Sequence, residues 1–359
     1  TLWHTLSLHD ALPICEHTMP EQNFQDQFTA RKANFAGSGT APVAATSIQY
    51  GEDGRIYVAE RFGGIKIYDV VDERESGGTV KLVLADKINN IKTIPNHNDQ
   101  GEIETAVFDR QLTGIFVEFI DGQPVIYASN SDPRSPSNED SNLDTNSGII
   151  SKLYIDESGE WQKVDLVRGL PRSEENHANN GITLVEEDGQ RFLYVAVGGS
   201  TNAGAPSDFF GDTPEYVYSG SILKIDLGML ESMPVQENLE DAAHPFVYDL
   251  PTLNDPTRPD TDGEDSSAPA LYDVFGGNDG RNMAVLEDGG PVTIHATGFR
   301  NAYDLVVTGD GLLYATDNGA NANLGGVPTL EDGIYSNDPV DESGSLPNVD
   351  HLHVVEAGG

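Results

Sequence analysis

Apolar residues along the chain fall mostly in short alternating runs bounded by turn residues, the pattern of strands with two distinct faces. Four stretches repeat one arrangement, an apolar strand, an acidic or glycine turn, and a second apolar strand carrying a tyrosine. They read SIQYGEDGRIYVAERFGG, GIFVEFIDGQPVIYASNSD, GITLVEEDGQRFLYVAVGGSTN and DLVVTGDGLLYATDNGAN, and their tyrosines are Tyr57, Tyr127, Tyr194 and Tyr314. The turns EDG, IDG, EDG and GDG supply the glycine that a tight hairpin needs at positive φ. Three units are followed by another short strand, GGIKIYDV, SGIISKLYI and SGSILKIDL. Helical spacing is weak throughout, and the best candidate, LGMLESMPVQENLEDAA, is interrupted by Pro234.

A hairpin repeated at long intervals predicts an all-β fold, a β-propeller, in preference to a β-sandwich, which would not repeat one hairpin four times. The gaps from Tyr57 to Tyr127 and from Tyr127 to Tyr194 exceed a minimal four-stranded unit of about 40–45 residues, so large loops are expected. The longer gap before Tyr314 holds a polar insertion, DLPTLNDPTRPDTDGEDSSAPALYD, and a second polar run is SNSDPRSPSNEDSNLDTNSG. Both are too poor in apolar residues to form core.

Charge narrows the partners. With 59 acidic and 20 basic residues the net charge is −39, which excludes nucleic acid and anionic membrane surfaces as partners. No apolar run reaches membrane-spanning length. The single cysteine, Cys15, leaves no disulfide framework, thiolate zinc site or cysteine nucleophile. Residues 1–16 look like translated adapter sequence and are set apart from fold reasoning, residues 17–40 form a lead-in, and residues 41–359 are read as one partial propeller. The last residues, HLHVVEAGG, run from an apolar strand into turn glycines, which reads as a propeller cut before its final blades. Such a cut would leave open sheet faces and favour aggregation.

Several chemical motifs are absent. DTDGED lacks the spacing and closing glutamate of an EF-hand, FAGSGTAP opens no helix that could cradle phosphate, and no G-x-S-x-G elbow occurs. By residue type alone, His177 in its asparagine-rich loop is an ordinary hydrogen-bonding residue, and Arg300 with Asn301 could cap a strand end. His97, His351 and His353 have no helix-borne zinc spacing.

From about Ala41 to Gly359 the chain resembles the soluble glucose/sorbosone dehydrogenase family, whose members are six-bladed propellers with pyrroloquinoline quinone (PQQ) and calcium in the central mouth. The resemblance is carried by TGFRNAYDLVVTGDGLLYATDNGAN, ENHANNGITLVEEDGQRFLYVAVGGSTN, DRQLTGIFVEF and VDHLHVVEAGG, in family order. It implies a six-bladed architecture of which this chain covers about four blades, and a secreted or periplasmic location. It further implies PQQ- and Ca2+-dependent oxidation of a sugar or aldehyde, with electrons passed to an external acceptor. Residue by residue, His177 matches the catalytic base, Arg300 and Asn301 the pair contacting PQQ, and Asp109 a position lining the cofactor pocket. Gly319 and Ala320 match positions whose carbonyls hold calcium, and Asp350 falls in a second calcium segment.

The chain departs from the family pattern at three of its positions. Gly199 stands where the best-known members carry an aspartate, Ala320 where they carry a proline, and His351 where they carry a glutamate. These departures keep a second reading open, a non-catalytic carbohydrate- or protein-binding propeller within a larger extracellular protein. A lactonase-type propeller is disfavoured by the Arg300–Asn301 pair.

Overall fold

The structure is a computed structural model that describes residues 33–98, 103–135, 143–238, 241–251, 284–336, 338–341 and 349–356. Residues 1–32 and most of the polar insertion after Leu250 lie outside the described residues, as does part of the second polar run.

The repeats fold as four successive antiparallel sheets, the blades of a propeller. The first contains β1 (Asn34–Ala36), β2 (Ala45–Tyr50), β3 (Ile56–Glu60), β4 (Gly64–Asp72) and β5 (Val80–Ile88), with β1 running parallel along the outer strand β5. The second is the meander β6 (Gln111–Ile120), β7 (Gln123–Ser131), β8 (Gly148–Ile155) and β9 (Trp161–Leu170). The third contains β10 (Asn179–Glu187), β11 (Gln190–Val197), β12 (Ser221–Asp226) and β14 (Val292–Thr297). Between β12 and β14 the chain returns to the second blade, where β13 (Phe246–Asp249) pairs parallel with β9. The fourth blade consists of β15 (Ala302–Val307), β16 (Leu313–Asp317) and β19 (His351–Val355). A small hairpin, β17 (Leu330–Glu331) and β18 (Ile334–Tyr335), projects between the last two.

Each expected hairpin is present, as β2–β3, β6–β7, β10–β11 and β15–β16. At Asp121–Gly122 and Asp188–Gly189 both turn residues have positive φ, the geometry that matches strand twist in a two-residue hairpin loop. The weak helical candidate forms only α1 (Leu227–Ser232), capped by the Asp226 carboxylate accepting from Met229 N at 2.9 Å, and it ends before Pro234.

Alternation along each middle strand explains how the blades stack. Val125 and Tyr127 on β7 face the third blade, where they meet Leu193, Val195 and Leu223. Ile126 and Ala128 on the same strand face the first blade, against Tyr57, Ile65 and Ile67. Phe192, Tyr194 and Ala196 on β11 likewise pack on Leu305, Leu313 and Ala315 of the fourth. The core is thus a set of apolar layers between blades, each supplied by the period-2 pattern of both neighbours.

The recurring tyrosine has a physical reason. The Tyr57 hydroxyl donates to Asp53 at 2.9 Å and that of Tyr127 to Glu118 at 2.7 Å, while Tyr194 donates to Glu187. A ring buried between blades thus keeps its hydroxyl bonded to a carboxylate at the hairpin end, and burial followed by that bond raises each phenol's pKa. At the two ends of the array apolar side chains remain uncovered by described residues, with Ile48 65 % and Leu352 68 % exposed.

The inner strands lie side by side. Thr46 Oγ1 donates to Leu112 O at 2.7 Å, Thr113 Oγ1 to Asn179 O at 2.5 Å, and Asn180 Nδ2 to Ala302 O at 2.9 Å. A Cβ at Gly114 would sit 2.3 Å from Asn180 O, so glycine is what lets β6 approach β10. Each inner strand also carries a register shift near its first residues, between Ala45/Ser47, Leu112/Gly114, Asn179/Ile182 and Ala302/Asp304. The shifts in β10 and β15 lie next to the loops that bear His177, Arg300 and Asn301.

Candidate functional site

A cavity of about 360 Å³ opens where the inner strands begin. Its wall includes Arg61, Gln111, His177, Asn180, Arg300 and Asn301. Three residues singled out in the sequence, His177, Arg300 and Asn301, therefore meet in one space although about 120 residues separate the first from the other two.

His177 sits in the loop before β10 and is 1 % exposed. Its backbone is tied to Ser173, with His177 N donating to Ser173 Oγ at 3.0 Å and Ser173 N to His177 O at 3.0 Å. The buried Arg172 holds the loop from below, donating to the carbonyls of Asp132, Ser173, Glu175, His177 and Arg134. Five carbonyls around one guanidinium fix the chain path, with no carboxylate in contact among the described residues. The imidazole Nδ1 lies 2.8 Å from Gly199 O, so Nδ1 carries the hydrogen and Nε2 the lone pair. Burial, followed by the Arg300 charge, lowers the His177 pKa to about 3, with the Gly199 bond opposing. The ring is therefore neutral near pH 7, and among the described residues its Nε2 makes no hydrogen bond.

Gly198 and Gly199 allow this convergence. A Cβ on Gly198 would lie 2.6 Å from Asn301 Oδ1 and 2.7 Å from His177 Cβ. A Cβ on Gly199 would lie 2.8 Å from Glu215 Oε1 and 3.1 Å from Arg300 O. Glu215 folds over this turn, accepting from Ser200 N at 2.9 Å, Thr201 N at 3.0 Å, Thr201 Oγ1 at 2.5 Å and Ser219 Oγ at 2.6 Å. The carboxylate that stands closest to Gly199 thus comes from Glu215, further along the chain.

Arg300 and Asn301 are held by Asp317, a buried residue that the sequence reading did not single out. Its two oxygens accept from Asn301 N at 2.8 Å and Arg300 N at 3.2 Å. The Arg300 Nε donates to Asn202 O and Oδ1, both at 3.1 Å, and among the described residues its terminal nitrogens make no hydrogen bond. Burial lowers the Arg300 pKa, with Glu175, Asp317 and Asp350 opposing. Asn301 Oδ1 accepts from Asn180 Nδ2 at 2.9 Å.

Arg61 was also missed. It lies in the turn after β3, with its N–H donating to Ala44 O at 2.9 Å and its carbonyl accepting from Leu112 N at 3.0 Å. Its guanidinium lines the cavity and makes no hydrogen bond or ion pair with a described residue. The only sequence signal was a basic residue in the short turn Arg61–Gly63 of a strongly acidic chain.

Asp109 is placed elsewhere. It has φ 68°, its carbonyl accepts from Asn96 Nδ2 at 3.0 Å, and its carboxylate lies 4.0 Å from Lys92. It is not part of the cavity wall, whereas Gln111, two residues on, is. Positive φ at Asp109 turns the chain between the two.

Gly319 and Ala320 line a neighbouring cavity of about 580 Å³ with His351 and His353, and Arg300 and Asn318 line both cavities. Asp350 adjoins them, its Oδ1 accepting from Gly319 N at 3.1 Å. His351 pairs with Asp317 in the β16–β19 ladder and stacks on His353 with ring centroids 5.4 Å apart. Among the described residues no three His, Cys, Asp or Glu side chains are grouped to hold a metal. Calcium at this point would rest on the carbonyls of Gly319 and Ala320 with the Asp350 carboxylate, hard oxygen donors suited to that ion. PQQ, a planar polyanion, would here face the guanidinium of Arg300 and the amides of Gln111, Asn180 and Asn301.

No helix among the described residues is long and apolar enough to cross a membrane. No family model matches the chain, and no curated protein matches it. Among solved structures it is similar to a calcium structure of a family AA12 carbohydrate-active enzyme from Trichoderma reesei, at 14 % identity and TM-score 0.43, over 89 % of this chain and 54 % of that one. It is also similar to the holo form of the PQQ domain of pyranose dehydrogenase from Coprinopsis cinerea, at 12 % identity and TM-score 0.39, over 84 % of this chain and 48 % of that one. The chain spans about half the length of these two structures.

Proposed function

We propose that this chain forms part of a PQQ- and calcium-dependent dehydrogenase that oxidises a sugar or aldehyde outside the cytoplasm and passes electrons to an external acceptor. One observation carries the reading. In a chain of net charge −39, the cavity at the inner strand ends is lined by two guanidinium groups, with Glu175 the only carboxylate in its wall among the described residues. The wall also holds a neutral histidine whose Nε2 bears the lone pair. Such a cavity selects an anion and offers a base beside it. The glucose/sorbosone dehydrogenase resemblance at the same residues supplies the identity of the anion.

PQQ, when bound, supplies a two-electron acceptor, and calcium beside it supplies positive charge for its oxygen atoms. The chain's part is to hold and to move a proton. Arg300 offers terminal N–H donors, and Asn301 is fixed by Asp317 and Asn180. His177 Nε2 accepts the proton of the substrate hydroxyl, while the Gly199 carbonyl keeps the imidazole in the tautomer required. An anion on Arg300 offsets the charge that helps depress the His177 pKa, so the base strengthens when the cofactor site is filled.

The test is dye reduction by the protein reconstituted with PQQ and calcium, across a panel of aldoses and aldehydes. His177→Ala is expected to abolish turnover while leaving PQQ binding largely intact. Wild-type turnover in His177→Ala, or turnover lost only together with PQQ binding, would remove His177 from the role of base.

A further inference from the structure

A further cavity lies at the same end of the second blade, toward its outer edge. Its volume is about 260 Å³, and no residue of its wall lines either cavity described above. The register steps outward to it from the axial wall. Gln111 sits beside Ser131 on β7, and Asn130 beside Ile149 on β8. Ile149 then sits beside Arg168 on β9, and Arg168 beside Asp249 on β13. At about 4.8 Å per strand, β13 stands roughly 19 Å from β6 along the sheet. Leu250 N donates to Arg168 O at 3.1 Å, which seats Leu250 over Gly169, where a Cβ would come 3.2 Å from Leu250 Cβ. The parallel return of β13, which the axial cavity does not use, thus closes one side of this pocket. Arg110 precedes β6 but turns outward, donating to Asn130 Oδ1 at 3.2 Å and Ser147 O at 2.5 Å.

The charges of this wall offset one another. Arg168 donates to Asp249 at 2.7 Å, and Lys163 reaches Asp165 at 2.7 Å. Arg110 and Asp144 add one charge of each sign. The wall therefore selects neither an anion nor a cation. Asn146 belongs to the same wall and is 7 % exposed, and among the described residues both ends of its amide are unbonded. Its backbone is fixed, with N donating to Asp144 Oδ1 at 2.8 Å. A buried amide in that state is stabilised by a ligand that brings a donor and an acceptor together.

We propose that this cavity is a second ligand site, which takes a neutral pyranose sugar through Asn146. Adjacent hydroxyls of such a ring suit the amide, one accepting from Nδ2 and the other donating to Oδ1. Ile94, Pro95, Ile149 and Leu250 give the wall aliphatic surface for the C–H face of the ring. A volume of about 260 Å³ accommodates one monosaccharide unit. No bond is made or broken here, and the site stands whether or not the axial cavity holds PQQ.

Calorimetric titration of the PQQ-free protein with D-glucose, D-galactose and D-mannose tests this, with sorbitol as the open-chain control. The panel is run on wild type, Asn146→Leu, Asn238→Ala and Arg300→Gln. At least one pyranose should bind wild type, and more tightly than sorbitol, whose chain must be ordered on binding. Asn146→Leu should weaken that binding by about tenfold or more, the loss of a donor and an acceptor from a buried site. It should melt no lower than wild type, since it removes an unbonded amide. Asn238→Ala, half-buried in the same wall, should weaken the sugar as well. Arg300→Gln should leave it within about twofold, because Arg300 lines only the other cavities. No pyranose binding at millimolar concentration overturns the inference, as does sorbitol bound as tightly as the sugars. Equal binding by wild type and Asn146→Leu overturns it too, and if Asn146→Leu does not fold, Asn238→Ala decides in its place. Loss of binding in Arg300→Gln would put the sugar in the axial cavity and remove the second site.

Discussion

The carbonyl oxygen of Gly199 lies 2.8 Å from Nδ1 of His177, and the N–H of the same glycine donates to the carbonyl of Arg300 at 2.7 Å. One residue without a side chain thus joins the two residues that define the cavity. Gly199→Ala is expected to destabilise the protein by about 1–3 kcal/mol, because its Cβ must displace either Glu215 or the Arg300 carbonyl. A thermal melt checks this. In the double variant with Glu215→Ala the loss should fall short of the sum of the single losses, since the two share one space.

Arg172 should behave as a structural keystone of the His177 loop. Arg172→Met leaves several buried carbonyls without a donor and is expected to cost about 3 kcal/mol or more. Arg172→Lys should recover little, since one ammonium cannot reach carbonyls arranged around a planar fork. Amide hydrogen exchange across Ser173–His177 should rise before global unfolding does. Unchanged protection there would show that the loop holds its path without the arginine.

The fold was legible where packing follows alternation. The four hairpins, their glycine turns and the third strands appear as the pattern implied, because inter-blade burial needs only period-2 apolar runs. The return of β13 to the second blade was not legible, since parallel pairing at an outer edge leaves no local signature in FVYD. At the site, His177, Arg300 and Asn301 were singled out through family motifs, and the structure brings them to one cavity. Asp317 was not singled out because its contacts with Arg300 N and Asn301 N depend on the β15–β16 register, and Arg61 because only the fold brings the β3–β4 turn to the cavity. Asp109 lies outside the wall that Gln111 lines, and its positive φ is not visible in a string of letters.

Stability should depend on pH through His177. Its pKa in the folded protein is lowered to about 3 from 6.5, so between those values the unfolded chain binds the extra proton. The stabilising contribution is complete above pH 6.5 and is lost as pH falls toward 3. His177→Asn should therefore show a shallower loss of denaturation midpoint between pH 7 and pH 4 than wild type. Parallel curves for the two proteins would contradict the neutral, buried imidazole.

Asn146 is 7 % exposed, and among the described residues neither its Nδ2 nor its Oδ1 has a hydrogen-bond partner. A buried amide in that state costs stability. Asn146→Leu is expected to raise stability by about 1 kcal/mol, read as a higher denaturation midpoint. A lower midpoint would mean that the amide is satisfied in solution.

The central claim is that the cavity at the inner strand ends holds PQQ through Arg300, with calcium beside it. Equilibrium titration with PQQ, with and without calcium, on wild type and Arg300→Gln tests it most directly. Calcium-dependent binding by wild type, weakened about 10- to 100-fold in Arg300→Gln at comparable thermal stability, is the predicted result. No binding by wild type at saturating calcium, or equal binding by the two proteins, would contradict it and leave a propeller that binds its partners without this cofactor.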